Sequence, residues 1–221
     1  MEKEKFCDAL SGKTCTVVHE DCFRINERKP CEYNKTYLPK FTDIRADTPP
    51  IARKASEAIL KPFLANWKEH AHNHKAGLKR VVASPVENVL RDILKAELAP
   101  LNVRVSDKGE VFNIWGNNKI IADATAKKEG FPTSIFSFKT WIGNEQIRET
   151  FAYAYLAKTW LGQKNLRIYE IGVIHTDTET KTIESLIKVC EPYLDGVFYL
   201  TAEPYLDELI EKLKETYSKR E

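Results

Sequence analysis

The order of apolar runs after Val103 constrains the fold more tightly than any other feature of this chain. Three β-rich runs, Val103–Val105, Val111–Trp115 and Lys119–Ala126, are separated by Asp107-Lys108-Gly109 and Gly116-Asn117-Asn118, compositions that make hairpin turns. Ser134–Trp141 predicts a further strand, and Gly143-Asn144 leads into a helix over about Glu145–Leu161. The pattern then alternates: strand Arg167–His175, helix Lys181–Cys190, strand Gly196–Thr201, helix Pro204–Tyr217. Strand–helix–strand succession needs crossovers, so the later strands lie parallel with helices packed on the sheet. The expectation is an α/β fold with a central mixed sheet flanked by helices.

Upstream, Ser84-Pro85 reads as a helix start, with Ser84 as N-cap, Pro85 in the first turn and Glu87 in the capping-box position. Val86, Val89, Leu90, Ile93, Leu94 and Leu98 form the buried stripe of that helix, and Pro100 ends it. Before it, Ile51, Ala55, Ala58, Ile59, Phe63 and Trp67 recur at helical spacing in a run reaching His74, which Pro62 kinks or divides. His70 and His74 share a helical face, but no Glu stands between them as in hydrolytic zinc helices, so they read as a solvated helix end. Residues 1–50 are irregular and end at Thr48-Pro49-Pro50, forming an arm or small subdomain ahead of a main domain over 51–221. Within that domain, 51–83 is a helical lead-in, 84–201 the core and 204–217 a closing helix.

A content of 43% hydrophobic and 30% charged residues excludes disorder as the default, and a net charge of +2 means that an anionic partner must meet a local basic patch. No apolar run approaches bilayer-spanning length, and Met1-Glu2-Lys3-Glu4-Lys5 lacks a signal-peptide core, which points to a cytoplasmic protein with no membrane partner. Cys7, Cys15, Cys22 and Cys31 crowd the N-terminus with His19 among them, while Cys190 stands apart. Four such ligands can close a tetrahedral Zn²⁺ site that staples a segment too small for its own core. No Cys-x-x-Cys pair supplies the usual knuckle, so free thiols or a disulfide stay open beside a metal.

Chemistry concentrates between Ile120 and Glu149. Asp123 stands in an otherwise apolar strand, Ile120-Ile121-Ala122-Asp123-Ala124, where an unpaired carboxylate is expensive to bury unless a metal or cation meets it. Ser137 and Lys139, two apart on the next strand, project to one face. Paired side by side, these strands bring Asp123 and Lys139 to a single phosphate, the arrangement that metal-assisted phosphodiester hydrolysis needs.

On these residues the chain resembles the type II restriction endonucleases of the PD-(D/E)xK nuclease superfamily, over roughly Ser84 to Thr201 in the order of its elements. The family's Asp, acid-x-Lys and helix Glu fall on Asp123, Ser137, Lys139 and Glu87. Ser137 departs from the acidic pattern, and Asp123 lacks a preceding Pro. A subgroup that cuts CCGG- or CCNGG-type sites has Ser-x-Lys here and draws the missing acid from the following helix, the part of Glu149, with Glu145 as its rival. The resemblance implies a restriction-endonuclease-like sheet and a Mg²⁺-dependent, sequence-specific endonuclease. Asp123 and Glu149 hold the ion in that picture, Lys139 orients the attacking water, and Glu87 either binds a second water or metal or closes its capping box. It also implies double-stranded DNA as substrate, a homodimer, and a companion DNA methyltransferase in the host.

Lys127 and Lys128, between the two strands, are placed either to lie along phosphates or to form an exposed hairpin tip. Asn144, Gln146 and Arg148, in the loop and first turn after Lys139, are candidates for base-edge contacts, or else a solvated helix face. Two other functions fit the sequence. One is a repair or CRISPR-associated nuclease whose N-terminal cysteines hold an Fe–S cluster. The other is a DNA-binding or assembly protein on a nuclease-like scaffold, inactive because Ser137 occupies the acidic position.

Overall fold

The structure is a computed structural model that describes residues 10–11, 14–15, 44–65, 78–115, 118–142, 144–160, 165–175 and 180–218. In chain order the elements are β1 (Leu10–Ser11), β2 (Thr14–Cys15), α1 (Pro50–Ala65), α2 (Leu78–Leu98), a 3₁₀ turn (Ala99–Leu101), β3 (Arg104–Val105), β4 (Glu110–Trp115), β5 (Asn118–Ala122), β6 (Ala124–Lys127), β7 (Thr133–Ile142), α3 (Asn144–Trp160), β8 (Leu166–His175), α4 (Thr180–Cys190), β9 (Gly196–Tyr199) and α5 (Leu206–Ser218).

The fold is α/β. Its main sheet has the order β3-β6-β7-β8-β9, antiparallel through β3, β6 and β7 and parallel through β7, β8 and β9. Helix crossovers α3 and α4 impose the parallel half, as the alternating pattern predicts. Side-chain period two then sorts the layers. Phe136, Phe138, Tyr169, Ile171, Val173 and Phe198 join a core with α1, α2 and α5, whereas Ile135, Ile168, Val197 and Tyr199 join one with α3 and α4. By the same parity Ser137, Lys139 and Glu170 belong to the α3/α4 face.

Three features differ from the sequence expectation, each for a tertiary reason, and the first is that Asp107-Lys108-Gly109 closes no hairpin, because β3 pairs with β6 while β4 pairs with β5. The expected continuous strand Lys119–Ala126 breaks at Asp123, because residues up to Ala122 pair with β4 while Ala124–Ala126 pair with β7. The chain leaves one sheet and enters another at the aspartate. Helix α2 begins at Leu78, with Pro85 in its interior, so Ser84 is not its N-cap. Proline removes one hydrogen bond, toward the Val81 carbonyl, but the stripe of Val86, Leu90 and Leu94 is fully buried, and packing outweighs that loss.

Candidate active site

Where the β6–β7 pairing ends, at Ala124↔Phe136, the aspartate side chain takes over from the backbone ladder. Asp123 N–H donates to the Phe136 carbonyl (2.9 Å), and the Phe138 amide donates to Asp123 Oδ2 (2.6 Å). Arg91 of α2 fixes the same bend from beneath: its Nε donates to the Asp123 carbonyl (2.8 Å) and its Nη2 pairs with Glu87 (2.7 Å). Glu87 therefore closes no capping box. It lies instead within electrostatic reach of Asp123. Burial pushes the Asp123 carboxyl above its ordinary range; the Phe138 amide opposes this, the Glu87 carboxylate adds to it, and Lys139 and Arg91 pull it back.

Lys139 leaves β7 on the α3/α4 face, and its ammonium pairs with Glu149 of α3 (3.1 Å). Glu149 is held from the other side by the Tyr153 hydroxyl (3.2 Å), one helical turn on. Opposite Lys139 on β8 stands Gly172, where a Cβ would run into the Ile142 side chain. The structure thus joins Lys139 to the helix acid Glu149, and through electrostatics to Asp123.

Sequence reasoning missed Glu170. It lies in the middle of β8, in register with Ser137, with 0% of its surface exposed. Among the described residues neither carboxylate oxygen has a partner at hydrogen-bond geometry, although the buried Thr150 hydroxyl is near enough to draw on the carboxyl. Burial raises its pKa to about 7, against the pull of Thr150 and Lys139 and with a further push from Glu149. The signal was present in Leu166-Arg167-Ile168-Tyr169-Glu170-Ile171-Gly172-Val173, an acid inside an apolar strand, the same signal that singled out Asp123.

The remaining candidates lie elsewhere. Lys127 pairs with Glu110 (2.6 Å), and Lys128 donates to the Tyr217 carbonyl (2.8 Å) with its ammonium over the Phe131 ring. Lys127 closes β6 and Lys128 follows it, four and five residues on from Asp123 and so up to about 13 and 17 Å along the chain. Each is already engaged within the chain. Arg148 is exposed beside Glu149 on α3, Gln146 is half-buried, and Asn144 and Glu145 open the same helix. Cys15 lies in β2; Cys7, His19, Cys22 and Cys31 lie outside the described residues, and with them any Zn²⁺ or Fe–S site.

Asp123, Glu149 and Glu170 offer hard oxygen donors, which suit Mg²⁺ rather than a thiolate-seeking metal, and the unpaired oxygens of Glu170 are what a cation would relieve. Among the described residues no three acid, His or Cys side chains are grouped on one point. Asp123 shares its surroundings with Glu87, and Glu149 with Glu170; Lys139 is within reach of both pairs.

No protein-family model and no curated protein sequence matches this chain. Among solved structures it is similar to the crystal structure of the protein of unknown function AF1548, at 10% identity and a TM-score of 0.37, over 57% of this chain. The match spans 65% of the length of that protein.

Proposed function

We propose that this protein is a Mg²⁺-dependent endonuclease acting on double-stranded DNA, and that it cuts at a specific sequence as a type II restriction enzyme does. The observation that carries the proposal is the convergence at one end of β7: a half-buried Asp123 fastened to the Phe138 amide, and Lys139 beside it held against an acid of the following helix. With Mg²⁺ bound, the site gains a Lewis acid that acidifies water and offsets phosphate charge.

The chain's own groups do the rest. Asp123 is positioned by two backbone hydrogen bonds and by Arg91, so its carboxylate arrives pre-oriented, without rotamer searching. Lys139 supplies a proton-bearing ammonium that orients the attacking water and answers the charge developing on the phosphate. Glu149, fixed by Tyr153, keeps that ammonium over the C-terminal part of β7 until the phosphate competes for it. Cutting both strands of a twofold site calls for two copies of the chain, and host DNA then calls for a protecting methyltransferase.

A second function, an inactive DNA-binding or assembly scaffold, draws on the closed Lys139–Glu149 ion pair. Digesting a plasmid of known sequence with Mg²⁺ and sequencing the ends separates the two. Discrete termini at a recurring sequence support the restriction enzyme; scattered termini support a repair-type nuclease. Intact DNA under conditions where the protein binds it supports the scaffold.

A further inference from the structure

Glu170 has no structural occupation to explain it. In register on neighbouring strands, Ser137 and Glu170 stand side by side on the α3/α4 face. The position on β7 that carries no charge is thus flanked, one strand over, by a carboxylate with 0% exposure whose two oxygens have no hydrogen bond among the described residues. Protonation resolves this only in part: the Thr150 hydroxyl is near enough to meet one oxygen of a neutral carboxyl, and the other oxygen is still left without a partner among the described residues. The Lys139 ammonium does not resolve it either, because it is within electrostatic reach but bonded to Glu149. The Thr150 hydroxyl, close by on α3, adds another oxygen to the spot.

We propose that Glu170 is the strand-borne carboxylate of the metal site, standing on β8 in place of the acid that Ser137 lacks on β7, and that it binds a divalent cation of the Mg²⁺ class together with Glu149. The assignment rests on the metal-dependent nuclease function given above and names a ligand which that function alone does not predict. Magnesium sites commonly use one or two carboxylates and complete their octahedron with water and substrate phosphate, so a third acid is not required. An ion held by Glu149 would compete with Lys139 for that carboxylate, and the ammonium would then be available to the phosphate, coupling metal binding to readiness for substrate.

The test is Mn²⁺ binding to the full chain after EDTA treatment, followed by the loss of the free Mn²⁺ electron paramagnetic resonance signal, with no DNA present. Wild type should bind. Glu170→Gln should weaken binding at least ~10-fold, while its circular dichroism matches wild type and its melting temperature in EDTA is no lower. If Glu170→Gln binds Mn²⁺ as wild type does while Asp123→Asn or Glu149→Gln does not, the Glu170 assignment is overturned and the metal-dependent function stands. If wild type itself takes up no Mn²⁺, both fall together. Should Glu170→Gln not fold, Glu170→Asp keeps the charge and withdraws it by one methylene: weakened binding supports the assignment and unchanged binding overturns it.

Discussion

Lys139 stands within electrostatic reach of two acidic pairs, Glu87 with Asp123 and Glu149 with Glu170, and forms its ion pair with Glu149. Of these acids Glu170 gives the sharpest stability signature. Its carboxyl loses its proton near 4.5 when unperturbed and at about 7 in the fold. Below the lower value both states are protonated and stability does not depend on this group's titration. Between the two values the folded chain keeps a proton that the unfolded chain has released, so stability falls as pH rises, and above 7 the loss is complete. Its size is on the order of 3 kcal/mol. Urea unfolding in EDTA at pH 5 and pH 8 should show wild type losing stability across that window relative to Glu170→Gln. Parallel behaviour of the two proteins would mean that Glu170 is not buried as a bare acid.

At the level of elements, helix α1 shows how much of the fold depends on remote partners. Its first turn contains no acidic residue, and the amides of Ile51 and Ala52 donate instead to Asp207 Oδ1 and Oδ2 in the first turn of α5 (2.9 and 2.8 Å). A carboxylate at a helix N-terminus satisfies orphan N–H groups and answers the helix dipole. Asp207→Ala should therefore cost ~1–2 kcal/mol, read as a lower urea midpoint with unchanged slope. No sequence pattern reveals such a cap, since its two halves lie 155 residues apart. The same holds for the break at Asp123, where no Gly or Pro marks the change of sheet and only the competing pairings of β4 and β7 create it. What periodicity could see, it saw: the burial stripe of α2, the strand–helix alternation after Ser134, and its parallel consequence. Asp123 and Lys139 were legible because charge inside apolar strands is costly and so draws notice. Glu170 carried that cost too, but its meaning depended on lying beside Ser137, a matter of register between strands 33 residues apart by number.

Over the whole molecule, the sheet separates two kinds of work. One face, packed by α1, α2 and α5, is a continuous apolar core; there Tyr217 reaches from α5 to tie β6 to β7 through the Ala126 carbonyl and Ser134 hydroxyl (both 2.9 Å). The other face carries a smaller core and, towards the end of β7, the Lys139–Glu149 ion pair. Such a division lets the stable layer hold strand register while the other accommodates the buried Glu170. Among the described residues no helix is long and apolar enough to cross a membrane, and with a net charge of +2 an anionic partner has to meet a local basic patch. The claim that joins these scales is that Lys139, among its carboxylates, acts on a phosphodiester. Single-turnover cleavage of cognate DNA by wild type and by Lys139→Ala, with folding matched by circular dichroism, tests it most directly. A loss of at least ~100-fold for Lys139→Ala is predicted. Cleavage within about twofold of wild type would contradict it, because general acid–base and charge-stabilising roles at a reacting phosphate are not lost so cheaply.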